Sequence, residues 1–218
     1  MNTSLKEDQL LLYLRSQLCN FFPDCGSLAN LNKVIPLALQ KLDICFQGTK
    51  YCGNYCNGEI FFNHLNADQY LIFIYYCSNI SFSVFIDVPL ASKLFYLNKA
   101  LHGFHCMYDT ILPEVFVIVH GSGIVLGKAV YSNYLVICHG CTVGSNSKFE
   151  SPNLGQFLMM YPNSSIIGNS VISNNCCISN GSFVNDEFVS SNSLVFGSSP
   201  NLVIKKNRRD RLSYFFSV

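Results

Sequence analysis

The sequence predicts an α+β protein with three parts: a mainly helical domain over residues 1–102, a three-sided parallel β-helix over residues 103–204 and a basic C-terminal tail over residues 205–218. Three observations predict this. Apolar residues recur at helical spacing only before residue 103. After it, short apolar units recur every six residues. The chain is also 50% hydrophobic and only 12% charged, so it has a large core to bury and few charges to place on its surface. That excludes a disordered chain, because the apolar surface is ample to offset the entropy of ordering. Fourteen Lys and Arg against thirteen Asp and Glu leave a net charge of +1, which excludes a broadly basic nucleic-acid surface.

The helical half reads in order. Residues 5–21 carry Leu10, Leu11, Tyr13, Leu14, Leu18 and Phe21 close to one helical face, with Pro23 and Gly26 as stop signals. Residues 31–46 repeat the idea with Leu37, Leu39, Leu42 and Ile44, ending at Gly48. Residues 49–65 read as a loop with a short strand or a ligand-facing segment. Residues 70–88 are the one membrane candidate, but Asn79, three serines and Asp87 interrupt them. They are expected to be buried core, broken near Ser78-Asn79, and no membrane span is expected. Residues 91–102 read as a further helix ended by Gly103.

Eleven cysteines and a polar start predict reduced thiols in a cytoplasmic protein. Two spacings invite a metal, Cys52-x-x-x-Cys56 and Cys138-His139-Gly140-Cys141. The first has no second pair at a matching distance, so no metal is expected.

The second half is built on a period. Val119, Val125, Tyr131, Ile137 and Val143 are spaced by six, and so are Leu154, Met160, Ile166, Ile172, Ile178 and Val184. Four residues after each stands a mostly small residue: Gly123, Ala129, Cys141, Ser147, Ser164, Ser170, Cys176 and Ser182, with Leu135, Leu158 and Phe188 as exceptions. An inward aliphatic and a small residue at each corner describe coils of about 18 residues that bury their interior only by stacking. Eleven units predict three to four coils. The phase slip marks an inserted loop at residues 145–153, projecting from one corner, where binding groups usually sit. Cys141 and Cys176 fall at small corner positions, which explains them without a metal.

The strings LNKALHG (97–103), HGSGIVLGKA (120–129), CTVGSN (141–146) and SLVFGSSPNLVIK (193–205) resemble the hexapeptide-repeat acyltransferases with a left-handed β-helix. Within that group the likeness is to serine acetyltransferases and to O-acetyltransferases of bacterial polysaccharide clusters. The resemblance implies acetyl-CoA as donor and His120 as general base, removing the proton of an acceptor hydroxyl that attacks the thioester. The physical case for His120 stands beside it. An imidazole exchanges a proton reversibly near neutral pH, and a rigid solenoid fixes its position.

The chain departs from the pattern. Where serine acetyltransferases carry an aspartate before the base, used for serine, this chain has Val119. Fifteen residues before the base, His105 replaces an aspartate that orients the imidazole, with Asp109 and Glu114 nearby as substitutes. A family His-Pro pair falls at Ser151-Pro152. Losing the aspartate before the base favours a sugar hydroxyl of a bacterial surface polysaccharide, capsule or O-antigen, as acceptor. Serine O-acetylation for cysteine biosynthesis and a catalytically silent trimeric scaffold are the alternatives. A zinc carbonic anhydrase on the same solenoid needs three converging histidines, a spacing that His102, His105, His120 and His139 do not clearly show.

His139, nineteen residues after His120, lies about one coil further on. It is a candidate to hold the imidazole, the acceptor or the thioester carbonyl, and equally an ordinary corner residue. Asp109 and, in the inserted loop, Glu150 are candidates for the acceptor. The resemblance implies that acetyl-CoA lies in a groove between β-helices of a homotrimer, lined here by Gly168, Gly197, Ser198, Ser199 and Pro200. Lys205, Lys206, Arg208 and Arg209 form a basic cluster suited to its phosphates. Trimer contacts are also expected to cover apolar area that so few charges leave exposed, and the helical half is a candidate for joining trimers into larger assemblies.

Overall fold

The computed structural model describes the chain except Cys25, Ser27 and residues 208–211 and 217–218; of Cys52 it describes the backbone only. Helix α1 (Glu7–Phe21) buries Leu10, Leu14 and Leu18, a stripe at steps of four. Helix α2 (Leu31–Gln47) buries Val34, Ala38, Leu42 and Cys45 and runs through Pro36. The predicted apolar face is rotated there: Leu42 is buried but Ile44 is 45% exposed. The stretch expected as a loop with a short strand forms β2 (Tyr55–Cys56) and β3 (Glu59–Phe62), antiparallel, with β1 (Asn2–Thr3) added parallel to β3.

Helix α3 (Ala67–Ser83) corrects the sequence reading, because it passes unbroken through Ser78-Asn79. The polar side chains that suggested a break bond to other elements instead. Ser78 Oγ donates to the Ala91 carbonyl at 2.8 Å, and Asn79 Nδ2 to the Tyr108 carbonyl at 2.8 Å. The helix is buried nearly all round, so the membrane-like composition belongs to a central core helix. The break falls at residues 84–87, where Asp87 caps α4 (Val88–His102) by accepting from Leu90 N at 3.1 Å. Gly103, at φ 62°, closes α4 in the left-handed conformation that glycine adopts without steric cost. Among the described residues, no helix is long and apolar enough to cross a membrane.

From residue 104 the chain winds into a parallel, left-handed β-helix with three faces. One face stacks β4 (Phe104–Cys106), β6 (Ile124–Leu126), β9 (Thr142–Gly144), β12 (Ser165–Ile167) and β15 (Phe183–Asn185). The next stacks β7 (Val130–Tyr131), β10 (Asn153–Leu154), β13 (Val171–Ile172) and β16 (Phe188–Val189). The third stacks β5 (Phe116–Val119), β8 (Leu135–Cys138), β11 (Leu158–Met160), β14 (Cys176–Ile178) and β17 (Ser193–Phe196), and β18 (Val203–Lys206) closes it antiparallel to β17. This makes about five coils, more than the three to four predicted, because stacking starts at Phe104 and continues to Phe196.

The inward columns match the six-residue period from Tyr131 onward, since Tyr131 pairs with Leu154. Ile137, Met160 and Ile178 stack on one face, and Val143, Ile166 and Val184 on another, all buried. Cys141, Ser164, Ser170, Cys176 and Ser182 are buried as predicted for small corner residues, whereas Ser147 is exposed in the inserted loop. The first two units are corrected. Ile118, not Val119, aligns with Ile137, and Leu126, not Val125, aligns with Val143. Val125 points outward at 38% exposure.

The outward column of the β5-containing face is apolar: Val117, Val136, Met159 and Cys177 are in register and buried. Leu212, Phe215 and Phe216 from the end of the chain cover it. The same segment ties to the helical half, since Lys50 N donates to the Phe215 carbonyl at 2.7 Å and Thr49 bridges to Phe216.

Candidate active site

His120 owes its place to an irregularity in the first coil. Val119 aligns with Cys138, and Gly140 N donates to the Ser122 carbonyl at 2.8 Å, which sets Gly140 over Gly123. Three residues, His120, Gly121 and Ser122, therefore occupy a corner that His139 alone spans one coil later. The two extra residues push His120 outward; it is exposed, with a left-handed φ of 56°. For a residue with a Cβ that conformation costs about 1 kcal/mol, so something must hold it.

The holder is Asp68, near the start of α3. Its Oδ2 accepts from His120 N at 3.0 Å and its Oδ1 from Gly121 N at 2.6 Å. Asn66, the N-cap of α3, accepts from Asp68 N at 3.1 Å, so the carboxylate stands on a fixed helix end. Gly121 is required at this contact. A Cβ there would lie 2.7 Å from Leu71 Cδ1 and 2.8 Å from Ile118 Cγ2. Sequence reasoning missed Asp68, because it stands 52 residues before His120 with no local pattern to mark it.

His102, at the last turn of α4, belongs to the same neighbourhood. Burial holds its imidazole below the usual histidine range, while the bond to Asn98 and the charge of Asp68 oppose that shift. Its Nδ1 bonds Asn98 Oδ1 at 2.8 Å, and Asn98 Nδ2 donates to the Leu71 carbonyl at 3.0 Å. Among the described residues the imidazole of His120 has no hydrogen-bond partner, so a lone pair is free to take a proton.

The other predicted residues fall as follows. His139 shares the His120 corner one coil on, directly after Cys138, which pairs with Val119. His105 lies in β4, edge-on to Phe95 at 5.1 Å between ring centroids, and burial lowers its pKa. Among the described residues no hydrogen bond joins it to His120. Asp109 is in an ion pair with Lys128 at 2.8 Å.

Glu150 is exposed in the inserted loop, where its carboxylate accepts from Asn146 Nδ2 at 2.8 Å. The same amide reaches Asp186 at 3.0 Å, tying the loop to the solenoid. Gly168, at φ 71°, lies at the corner beyond β12, and Ser199 stands near that corner higher up, where its Oγ accepts from Asn185 N at 3.0 Å. Gly197, at φ 83°, opens the turn through Ser198 and Pro200, closed by Asn201 N donating to the Ser198 carbonyl at 2.9 Å. Lys205 and Lys206 are exposed on β18, with Lys205 Nζ 5.5 Å from the Phe196 ring centroid. Arg208 and Arg209 lie outside the described residues, as does the side chain of Cys52 from the Cys52/Cys56 pair. Among the described residues no three His, Cys, Asp or Glu converge as metal ligands.

No protein-family model matches the sequence, and a search of the curated proteins finds no relative. Solved structures do match. The serine acetyltransferase of Brucella abortus strain S19, solved with coenzyme A, is 16% identical over 93% of this chain and 83% of its own, with a TM-score of 0.69. That of Neisseria gonorrhoeae is 20% identical over 93% of this chain and 80% of its own, with a TM-score of 0.70. A serine acetyltransferase in complex with cysteine is 16% identical over 97% of this chain and 84% of its own, with a TM-score of 0.72. The chain therefore has the hexapeptide-repeat β-helix fold of serine acetyltransferases, helical half included.

Proposed function

We propose that the protein is an acetyl-CoA-dependent O-acyltransferase in which His120 is the general base. The observation that carries the reading is the display of His120: an exposed imidazole, without a side-chain partner, on a turn fixed by two bonds to a helix-borne carboxylate. The neutral imidazole accepts the acceptor's hydroxyl proton as that oxygen attacks the thioester carbonyl carbon. The carbon–sulfur bond then breaks, and the imidazolium returns the proton to the leaving thiolate, giving an ester and free coenzyme A. The neighbours solved with coenzyme A support this donor.

For the acceptor, L-serine fits the neighbours best, because the likeness spans the helical half as well as the solenoid. A polysaccharide hydroxyl rests on Val119 standing where a carboxylate would meet an amino group, and is the second reading. His139, at the same corner, is a candidate to contact the acceptor or the thioester carbonyl. Gly168 and the 197–200 turn are candidates for the pantetheine arm, and Lys205 and Lys206 for the phosphates. A homotrimer is proposed with it, since Val130 and Phe188 are 61% and 67% exposed on the β7-containing face.

The test is thiol release from acetyl-CoA with L-serine or with sugar acceptors. Serine-dependent release supports the reading, release only with a carbohydrate favours the polysaccharide acceptor, and release with neither refutes it.

A further inference from the structure

A carboxylate from outside the β-helix stands behind His120, and its charge is committed to the backbone. Both Asp68 oxygens accept main-chain N–H groups of successive residues, at 3.0 Å from His120 and 2.6 Å from Gly121. Among the described residues Asp68 is in no ion pair, though its charge also reaches the His102 imidazole. Charge-assisted bonds of this kind are stronger than neutral ones and fix direction.

The turn they hold needs fixing. It has two residues more than the same corner one coil later, and His120 takes a left-handed φ, uncommon for a residue with a Cβ. From below, Leu71 and Ile118 leave no room at Gly121 for a side chain, so the turn is pinned between α3 and the first coil. The imidazole thus stands on a strained, solvent-exposed segment whose anchor is one side chain on the helical half.

We infer that Asp68 is the positioning residue of His120: it sets the direction of the imidazole without touching the reactants. The inference rests on His120 being the base, as proposed above. It gives the helical half a part in the chemistry, since removing Asp68 frees a turn on the neighbouring solenoid. A misplacement of about 1 Å at a reacting group costs on the order of a hundredfold in rate. Asp68→Asn keeps one acceptor and replaces the other with a donor facing an N–H, so an intermediate loss follows.

The experiment compares wild type with Asp68→Asn, Asp68→Ala and Asp87→Ala in three measurements. The first is hydrogen exchange of the His120 and Gly121 amides. The second is NMR relaxation of the His120 ring. The third is steady-state thiol release. Asp87→Ala removes the cap of α4, a group bonded to neither Asp68 nor His120, so it controls for stability. Both Asp68 variants are expected to lose amide protection and to gain ring motion. Their kcat should fall about 10- to 100-fold, more for Ala, with the KM for acetyl-CoA unchanged. Asp87→Ala should lower Tm while keeping protection and kcat.

Unchanged protection in Asp68→Asn would overturn the inference, and so would a kcat within twofold of wild type or an equal loss in Asp87→Ala. If wild type releases no thiol with any acceptor, the proposed function fails. The amide and ring measurements then decide the inference alone: lost protection and added ring motion uphold it, and unchanged values overturn it.

Discussion

Phe216 closes the apolar outer face of the solenoid, and replacing it with alanine tests how much of the fold depends on that closure. The side chain is fully buried against Val117, Val136, Met159 and Cys177, with the Tyr134 ring edge-on at 5.3 Å. Tyr134 in turn stacks on Phe157 at 4.5 Å. A buried phenylalanine removes about 150–250 Å² from water, which at about 25 cal/mol per Å² is about 4–6 kcal/mol as an upper bound. Phe-to-Ala substitutions in cores cost about 3–5 kcal/mol. At about 2–4 °C per kcal/mol for a chain of this size, Phe216→Ala should lower Tm by about 6–20 °C. Differential scanning calorimetry reads this directly. Amide exchange should also rise at Val136 and Met159, whose strands lose their cover. A Tm within 2 °C of wild type with unchanged exchange would show that the chain end does not hold the solenoid face.

Other predictions follow from single residues. Burial pushes the Cys45 and Cys138 thiols up to about 11, so iodoacetamide at pH 8 should leave both unmodified in native protein while labelling exposed Cys19 and Cys56, as peptide mass mapping will show. The His102 imidazole titrates below an unfolded histidine, near 6.5, so the unfolded chain binds more protons between the two values. Stability from this group is complete above about pH 6.5 and is lost as pH falls towards the folded pKa, so Tm should drop from pH 7.5 to 5.5 less steeply in His102→Gln. Gly140→Ala should cost about 1–2 kcal/mol, because φ there is 68° and the new Cβ would crowd Asn163; chemical denaturation measures it.

Much of this architecture was legible where local pattern and burial coincide. The stripe Leu10, Leu14, Leu18 marks α1, and the ladder from Ile137 to Val184 marks the coils, because each inward residue must be aliphatic to stack on the last. The ladder misplaced Val119 and Val125, because a six-residue count cannot register two extra residues at the His120 corner followed by a shorter corner. Ser78 and Asn79 looked like a break because their partners, the carbonyls of Ala91 and Tyr108, are 13 and 29 residues away. The outward column Val117, Val136, Met159 and Cys177 has no period of its own that names its cover. At the site, the resemblance pointed to His120, and spacing set His139 about one coil from it. Asp68 was not, since its role exists only once α3 packs on the first coil.

The most direct test of the account is coenzyme A thiol release from acetyl-CoA with L-serine as acceptor, wild type against His120→Ala, in protein shown folded by an unchanged Tm. The account predicts serine-dependent release by wild type and a loss of about 100-fold or more in His120→Ala, the scale of a removed general base. Equal rates for the two proteins would contradict it.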